Sequence, residues 1–480
     1  MHWRSVAKVF GFLLILLAAS MMVSLFWSVW YGTPDWRAFL WSIILVGVPG
    51  AVMVFVGEKQ LLLNSRDVYV VVAGGWVVCS LAGTIPFMLS GVLPHPADAL
   101  FETVSGFTTT GATVMTRIPE NAAGILFWRS YLNWLGGMGI ILIFLALARR
   151  ADHGGDSLYK AEVPGMEVER LTPRLRETAS VLWRIYGTIT LLETLLLWLA
   201  GMSLYESLIH AFSTVATGGF SSRTLSVGAY EKPWIFYIIL VFMLLSGINF
   251  GLYYRAIRGR RLGALFDDPE LRGYATIILV AVAILTYNLM GQYGFGGALR
   301  HGSFQAVSVM TTTGFTTTDF DTWPDLSKSV LLCLMFVGAC SGSTAGAIKV
   351  VRFQVMGKSL FRELGKMVHP QAVLPVRLGR RVIPESTVRS VLVFSAAYMA
   401  CALAGTFYML LCGLDMVSAV SAVAATLGNV GPGLGSVGPS LSYASIPASG
   451  KVVLTFLMLL GRLEILTVLV TLTPSFWQRR

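Results

Sequence analysis

One short segment occurs four times in this chain: FETVSGFTTTGAT at 101–113, LIHAFSTVATGGF at 208–220, FQAVSVMTTTGFT at 304–316 and SAVAATLGNVGPG at 421–433. Aligned on one glycine each, the copies put Gly111, Gly218, Gly314 and Gly431 in register, roughly a hundred residues apart. The preceding residues match too: Thr109 and Thr110, Ala216 and Thr217, Thr312 and Thr313, Asn429 and Val430. Each copy is a short amphipathic run that ends in a small or polar stretch and a glycine. That reads as a half-helix whose chain turns back in an extended conformation that glycine permits. A half-helix leaves backbone carbonyls unpaired, which a bilayer tolerates only where they line a water-filled path. Four such segments around one axis present rings of carbonyl oxygens that replace the hydration shell of a cation. The partial negative charge at helix C-termini favours a cation there as well.

The remainder of the sequence supplies the membrane. Of 480 residues, 55% are hydrophobic and only 13% charged, about half the charged fraction of a soluble domain. A spanning helix needs about 20 mostly apolar residues, and such runs begin at 9–31 and 38–57. The first imitates a signal peptide, but its apolar run continues through Val29 and Trp30, so a retained helix is expected. An outer helix, a hairpin and an inner helix then follow in order four times. The outer helices are expected near 68–91, 180–201, 273–291 and 388–412, the inner ones near 124–148, 233–256, 328–350 and 449–473. The fold class that follows is an all-α polytopic membrane protein with ten spanning segments and four re-entrant ones. Residues 1–62 would carry two extra helices, and 63–150, 151–262, 263–368 and 369–480 one pore repeat each. Cys79, Cys333, Cys340, Cys401 and Cys412 all fall in apolar runs without metal-ligand spacing and read as buried hydrophobes.

The net charge of +11 does not point to nucleic acid, because the basic residues lie in loops between apolar runs. Lys59 and Arg66 form one set; Arg149, Arg150, Lys160, Arg170, Arg174 and Arg176 a second; Arg255, Arg258, Arg260 and Arg261 a third. Lys358, Arg362, Lys366, Arg377, Arg380 and Arg381, with Arg4, Lys8, Arg479 and Arg480, complete that side. The positive-inside bias makes this side and both termini cytoplasmic, so every hairpin enters from outside. Of the two long cytoplasmic segments, 149–179 reads as a solvated loop. The strongly basic 349–387 reads equally as a headgroup-facing loop or a docking surface.

The four hairpins, in this order and spacing, resemble the filter loops of the Trk/Ktr/HKT superfamily of cation transporters, and within it the TrkH-type potassium uptake subunits, over essentially the whole chain. The resemblance implies a potassium filter made mainly of backbone carbonyls at Thr109, Thr110, Gly111, Ala216, Thr217, Gly218, Thr312, Thr313, Gly314, Asn429, Val430 and Gly431. Glycine in all four loops resembles the potassium-favouring type. In the third inner helix, Gly338, Cys340, Ser341, Gly342, Ser343, Thr344 and Gly346 make a poor continuous helix. A helix-packing patch is the plain reading; the resemblance implies a gate beneath the filter, joined by Lys349 and Arg462. An arginine at mid-membrane costs at least about 2.5 kcal/mol, so Arg462 must face the pore or a partner. Glu464 lies two residues on, on a different helix face, so a direct pair with Arg462 is not expected.

Carboxylates cluster toward the outer mouth at Asp98, Glu102, Asp319, Asp321 and Asp325; among them Glu102, inside a pore helix, is expected to concentrate cations. His210 and His301 begin pore helices and read as capping or interface residues. No acid–base pair, nucleophile set or phosphate-binding loop marks an enzyme. By resemblance the chain forms a homodimer in the bacterial inner membrane, in contact with membrane lipid, and binds a cytosolic nucleotide-binding ring of TrkA type. K+ is the transported ion and no organic cofactor is implied. Sodium- or proton-coupled symport by the same architecture is the alternative, with Glu193, Glu206 and Glu464 as the carboxyls available to it.

Overall fold

The computed structural model describes residues 1–58, 61, 63–139, 175–259, 263, 267–379 and 381–478. Lys59, Arg149, Arg150, Lys160, Arg170, Arg174, Arg260, Arg261, Arg380, Arg479 and Arg480, and the side chain of Arg176, lie outside the described residues, as does most of segment 149–179.

Two long apolar helices, Trp3–Trp30 and Trp36–Val56, form an antiparallel pair at one side. Around them the chain repeats one unit four times: outer helix, short pore helix, extended loop, inner helix. The outer helices are Arg66–Leu89, Thr178–Leu199, the first part of Pro269–Met310, and Glu385–Leu411. The pore helices are Pro96–Phe107, Leu204–Val215, residues 295–310 and Met416–Leu427. In the third repeat outer helix and pore helix run together, broken only at Gly294, where φ is +66°. The four units close around a pseudo-fourfold axis, as the amphipathic hairpins require.

Among the described residues six helices are long and apolar enough to cross a membrane. The inner helices depart from the expected single spans among the described residues. The first runs Ala123–Gly137 and stops at Met138 and Gly139. The second, Pro233–Ser246, bends 88° into Phe250–Gly259; the fourth, Ala448–Arg462, bends 116° into Ile465–Leu472. The third, Asp325–Phe336, gives way to an irregular loop over 337–349. Apolar composition alone reads through these points, because glycines and small residues are common in spanning helices and mark no boundary there.

Segment 349–387 is also more ordered than a loop. About half of it is the helix Val350–Val368, followed by two short antiparallel strands, Arg377–Leu378 and Arg381–Val382. Val351 and Val355 are one helical turn apart and pack with Val376, Leu378, Val388 and Val391. Elsewhere aromatic side chains fill the space between units. Phe127, Tyr131 and Trp134 of the first inner helix pack against Phe212 of the second pore helix with centroids 5.7, 5.5 and 5.3 Å away. Such ring pairs add about 0.5–1.5 kcal/mol each beyond their burial.

Candidate functional site

The four extended loops share one backbone conformation, and it fixes their register. In each, a pore-helix carbonyl accepts two successive loop N–H groups. Ser105 O takes Thr110 N at 2.8 Å and Gly111 N at 3.4 Å; Ser213 O takes Gly218 N at 2.7 Å and Gly219 N at 3.4 Å. Ser308 O takes Thr313 N at 2.8 Å and Gly314 N at 3.2 Å, and Ala425 O takes Val430 N at 2.8 Å and Gly431 N at 3.4 Å. The residue before each such pair has a left-handed φ: Thr109 +55°, Thr217 +57°, Thr312 +56° and Asn429 +55°. So does the last: Gly111 +77°, Gly219 +68°, Gly314 +81° and Gly431 +101°. Threonine and asparagine in this region cost of order 1–3 kcal/mol each, strain that recurs at functional sites.

This register corrects the sequence alignment in the second loop. The equivalent glycine is Gly219, not Gly218, and the equivalent triplet is Thr217, Gly218 and Gly219. Ala216 falls one position earlier, beside Thr108, Thr311 and Gly428. Two adjacent glycines gave the sequence no means of choosing; the hydrogen bonds to Ser213 choose.

The four glycines also close a ring. A Cβ on Gly111 would lie 2.2 Å from Gly218 O, and one on Gly219 2.0 Å from Thr313 O. One on Gly314 would lie 2.1 Å from Val430 O, and one on Gly431 2.5 Å from Thr110 O. Each loop therefore presses its glycine Cα on the middle carbonyl of the next, around the full circle. Gly111, Gly219, Gly314 and Gly431 line one hollow at the outer mouth. Beneath it, the threonine hydroxyls pair as Thr108–Thr110 and Thr311–Thr313, each at 2.8 Å. Asn429 Nδ2 joins the fourth loop to the first by donating to Thr110 Oγ1 at 2.9 Å and to Met458 O at 3.0 Å.

Loop 337–349 lies directly under this ring. Its ends are tied where Gly338 N donates to Ile348 O at 2.9 Å and Ile348 N to Phe336 O at 3.3 Å. Gly346 N donates to Thr312 Oγ1 at 2.8 Å, and Thr344 Oγ1 to Val215 O, at the end of the second pore helix, at 3.1 Å. Cys340 N donates to Gly247 O, and Gly342 O accepts from Phe250 N, so the loop also docks on the break of the second inner helix. Glu270 Oε1 holds its far side, accepting from Ser341 N at 2.7 Å and Ser341 Oγ at 2.8 Å. Ser343 Oγ turns inward to Cys340 O at 2.6 Å.

Arg462 is buried at the C-terminus of the fourth inner helix. It donates to Thr344 O at 2.6 Å and to Gly136 O and Gly137 O at 2.7 and 2.6 Å, tying the loop to the end of the first inner helix. Lys349 is buried beside it, with Nζ donating to Ala345 O. Glu464 pairs with Arg352 at 2.6 Å, not with Arg462, at the left-handed hinge residue of the fourth inner helix. Sequence reasoning missed Glu270 and Arg352. The signal was there, in ionisable residues at the edges of apolar runs, but their partners lie 71 and 112 residues away.

The outer carboxylates do not form a cation-gathering ring. Glu102 is fully buried and bound to Arg129, Nε to Oε1 2.7 Å. Asp98 pairs with Lys451 at 2.6 Å, Asp325 with Lys328 at 3.0 Å, and Asp321 Oδ1 accepts from Gly435 N. Asp319 caps a short turn through Asp321 N. Glu102 and Asp98 thus face cationic side chains, whereas Asp325 stays exposed beside its lysine. His210 is buried, its Nε2 3.0 Å from Ser221 Oγ, and His301 Nδ1 lies 3.2 Å from Thr317 Oγ1.

Comparison with known proteins supplies a family. The model of the TrkH family, described as a cation transport protein, matches residues 37–479. The chain is similar to the Trk system potassium uptake protein TrkH of Halomonas elongata, 39% identical with 100% of each chain covered. It is 38% identical to the protein of the same name from Escherichia coli K12, again over 100% of each. The fold matches the crystal structure of the potassium transporter TrkH from Vibrio parahaemolyticus with a TM-score of 0.91, 35% identity and 100% of both chains covered.

Proposed function

The chain belongs to the TrkH family of cation transport proteins, and from that premise we propose that it carries potassium inward through the ring of four loops, in channel fashion. The observation that carries this reading is the closed ring in which each glycine packs on the next loop's carbonyl. A backbone whose φ alternates in sign turns successive carbonyls toward one side, which a strand does not do. Carbonyls so held substitute for water around a weakly hydrated cation. The transport ligands are then the backbone of Thr109, Thr110, Gly111, Thr217, Gly218, Gly219, Thr312, Thr313, Gly314, Asn429, Val430 and Gly431.

Loop 337–349 is the gate of this reading. The Arg462 guanidinium and the Lys349 amine both donate to carbonyls just below the ring, where a passing cation would need them. The guanidinium charge raises the barrier to cations, and the loop's hydrogen bonds to Thr312 and Val215 close the path sterically. A cytosolic nucleotide-binding ring of TrkA type would move the loop through Val350–Val368, the helix that continues it. Cytoplasmic termini belong to the same proposal on the charge bias of the loops, and homodimer assembly in the bacterial inner membrane on the family resemblance.

The test is rescue of a bacterial host stripped of its potassium uptake systems. The chain, supplied with a TrkA-type partner, restores growth on limiting potassium, and Gly219→Ala does not. Equal rescue by Gly219→Ala contradicts the reading. The second reading, symport with sodium or protons, rests on Glu193, fully buried in the second outer helix beside Thr214. It predicts that Glu193→Gln abolishes uptake, whereas the channel reading predicts that uptake survives.

A further inference from the structure

The register set by the loops puts Glu102, His210, Gln305 and Ala422 at one equivalent position, three residues before the carbonyl that caps each loop. That position does the same work three times with different chemistry. Glu102 Oε2 accepts from Val114 N at 2.9 Å, and both its oxygens accept from Thr113 Oγ1 at 2.9 and 3.1 Å. His210 Nε2 meets Ser221 Oγ at 3.0 Å, the residue equivalent to Thr113. Gln305 Nε2 reaches Phe315 O at 3.4 Å. In the fourth repeat the position is alanine, and the neighbouring Ser421 takes over, its hydroxyl accepting from Leu434 N at 2.9 Å and donating to Leu434 O at 2.9 Å. Leu434 is the equivalent of Val114.

Each loop is thus pinned from behind on its outward limb, and only the first repeat uses an ion pair. Arg129 of the first inner helix completes it, with Nε on Glu102 Oε1 at 2.7 Å and Nη2 on Thr113 Oγ1 at 3.1 Å. The same guanidinium lies 4.1 Å from the centroid of Phe220 and donates to Ser221 O at 3.4 Å, both in the second loop. Arg129 and Glu102 are 1% and 0% exposed. An ion pair out of water holds its geometry tightly, because either charge left alone is strongly penalised. Arg129 and Thr113 line the outer hollow, and Glu102 does not.

We propose that the Glu102–Arg129 pair, acting through Thr113, is a selectivity-setting clamp: positioning residues that fix the spacing of the first and second loops and so the size of cation the ring accepts. The proposal rests on the ring being the cation filter. A clamp of this kind changes the preference between ions, whereas a purely structural contact changes only the amount of folded protein.

The experiment titrates purified full-length protein in detergent with K+ and with Na+ by calorimetry. Wild type is compared with Glu102→Gln, Thr113→Val and Gly219→Ala, each checked for a monodisperse elution profile and cooperative thermal unfolding. Glu102→Gln removes the charge at constant shape, and Thr113→Val removes only the hydroxyl. The expected result is a K+ over Na+ preference reduced about tenfold or more in both, equivalent to about 1.4 kcal/mol, in protein that still folds. An unchanged preference in folded Glu102→Gln and Thr113→Val, with a changed one in Gly219→Ala, overturns the clamp and leaves the filter reading standing. No change in any of the three overturns both. Failure of both clamp variants to fold also overturns it, since the pair would then serve stability alone.

Discussion

At Gly219 a side chain meets two obstacles at once: a φ of +68° and the Thr313 carbonyl 2.0 Å from an added Cβ. Gly218 meets neither; the nearest atoms to its added Cβ belong to the side chain of Asn133, at 2.5 Å. The account therefore predicts that Gly218→Ala is rescued by Asn133→Ala, while Gly219→Ala is not rescued by trimming any side chain. Cation binding by the double variant checks this directly. Arg462 gives a second residue-scale prediction. Its three carbonyl contacts are charge-assisted, worth about 1.5–3 kcal/mol each when made to a charged group. Arg462→Ala should raise basal potassium flux in proteoliposomes by about tenfold or more, with no partner present. Unchanged flux in folded protein removes Arg462 from the gate.

Between residue and molecule stand the pore helices and the loop beneath them. Loop 337–349 is anchored on one side by Glu270, which accepts from Ser341 N and Oγ. Glu270→Ala should loosen the loop and raise basal flux roughly tenfold, at about 1.5 kcal/mol lost per charged hydrogen bond; a flux equal to wild type assigns Glu270 to folding alone. The fourth pore helix carries its own pH signature. Asp415 caps it, and hydrogen bonds from Ser418 hold the carboxylate below its usual range. A lowered folded-state value means the cap is fully present above the ordinary carboxylate range and is lost as pH falls through that lowered value. Asp415→Asn should keep the cap and flatten the acid limb of thermal stability.

Element by element, the sequence exposes what periodicity and composition carry. The outer helices and pore helices fall where the apolar runs and the four hairpins put them, and Arg462 has found partners, the carbonyls of Thr344, Gly136 and Gly137, as its cost in lipid requires. Three things were hidden. The breaks of the second, third and fourth inner helices, at 247–249, 337–338 and 463–464, lie inside apolar runs whose composition marks no boundary. The second loop's register was ambiguous at a Gly–Gly pair. Glu102 read as a mouth residue because its partner Arg129 sits 27 residues on in another helix, and pairing across elements leaves no local signal.

In the molecule as a whole, four loops from distant parts of one chain close into a single ring, which we propose coordinates a cation. The ring is pseudo-symmetric in backbone and asymmetric in its supports: an ion pair behind the first loop, imidazole, amide and hydroxyl behind the others. A filter of this kind would bind its ion whether or not the loop beneath is open, so equilibrium binding tests it independently of gating. The decisive measurement is calorimetric K+ binding to purified wild type against Gly219→Ala and Gly314→Ala, in a background of Na+. The account predicts K+ binding in wild type that survives excess Na+ and is lost in both variants. K+ binding of equal strength in wild type and variants would contradict it.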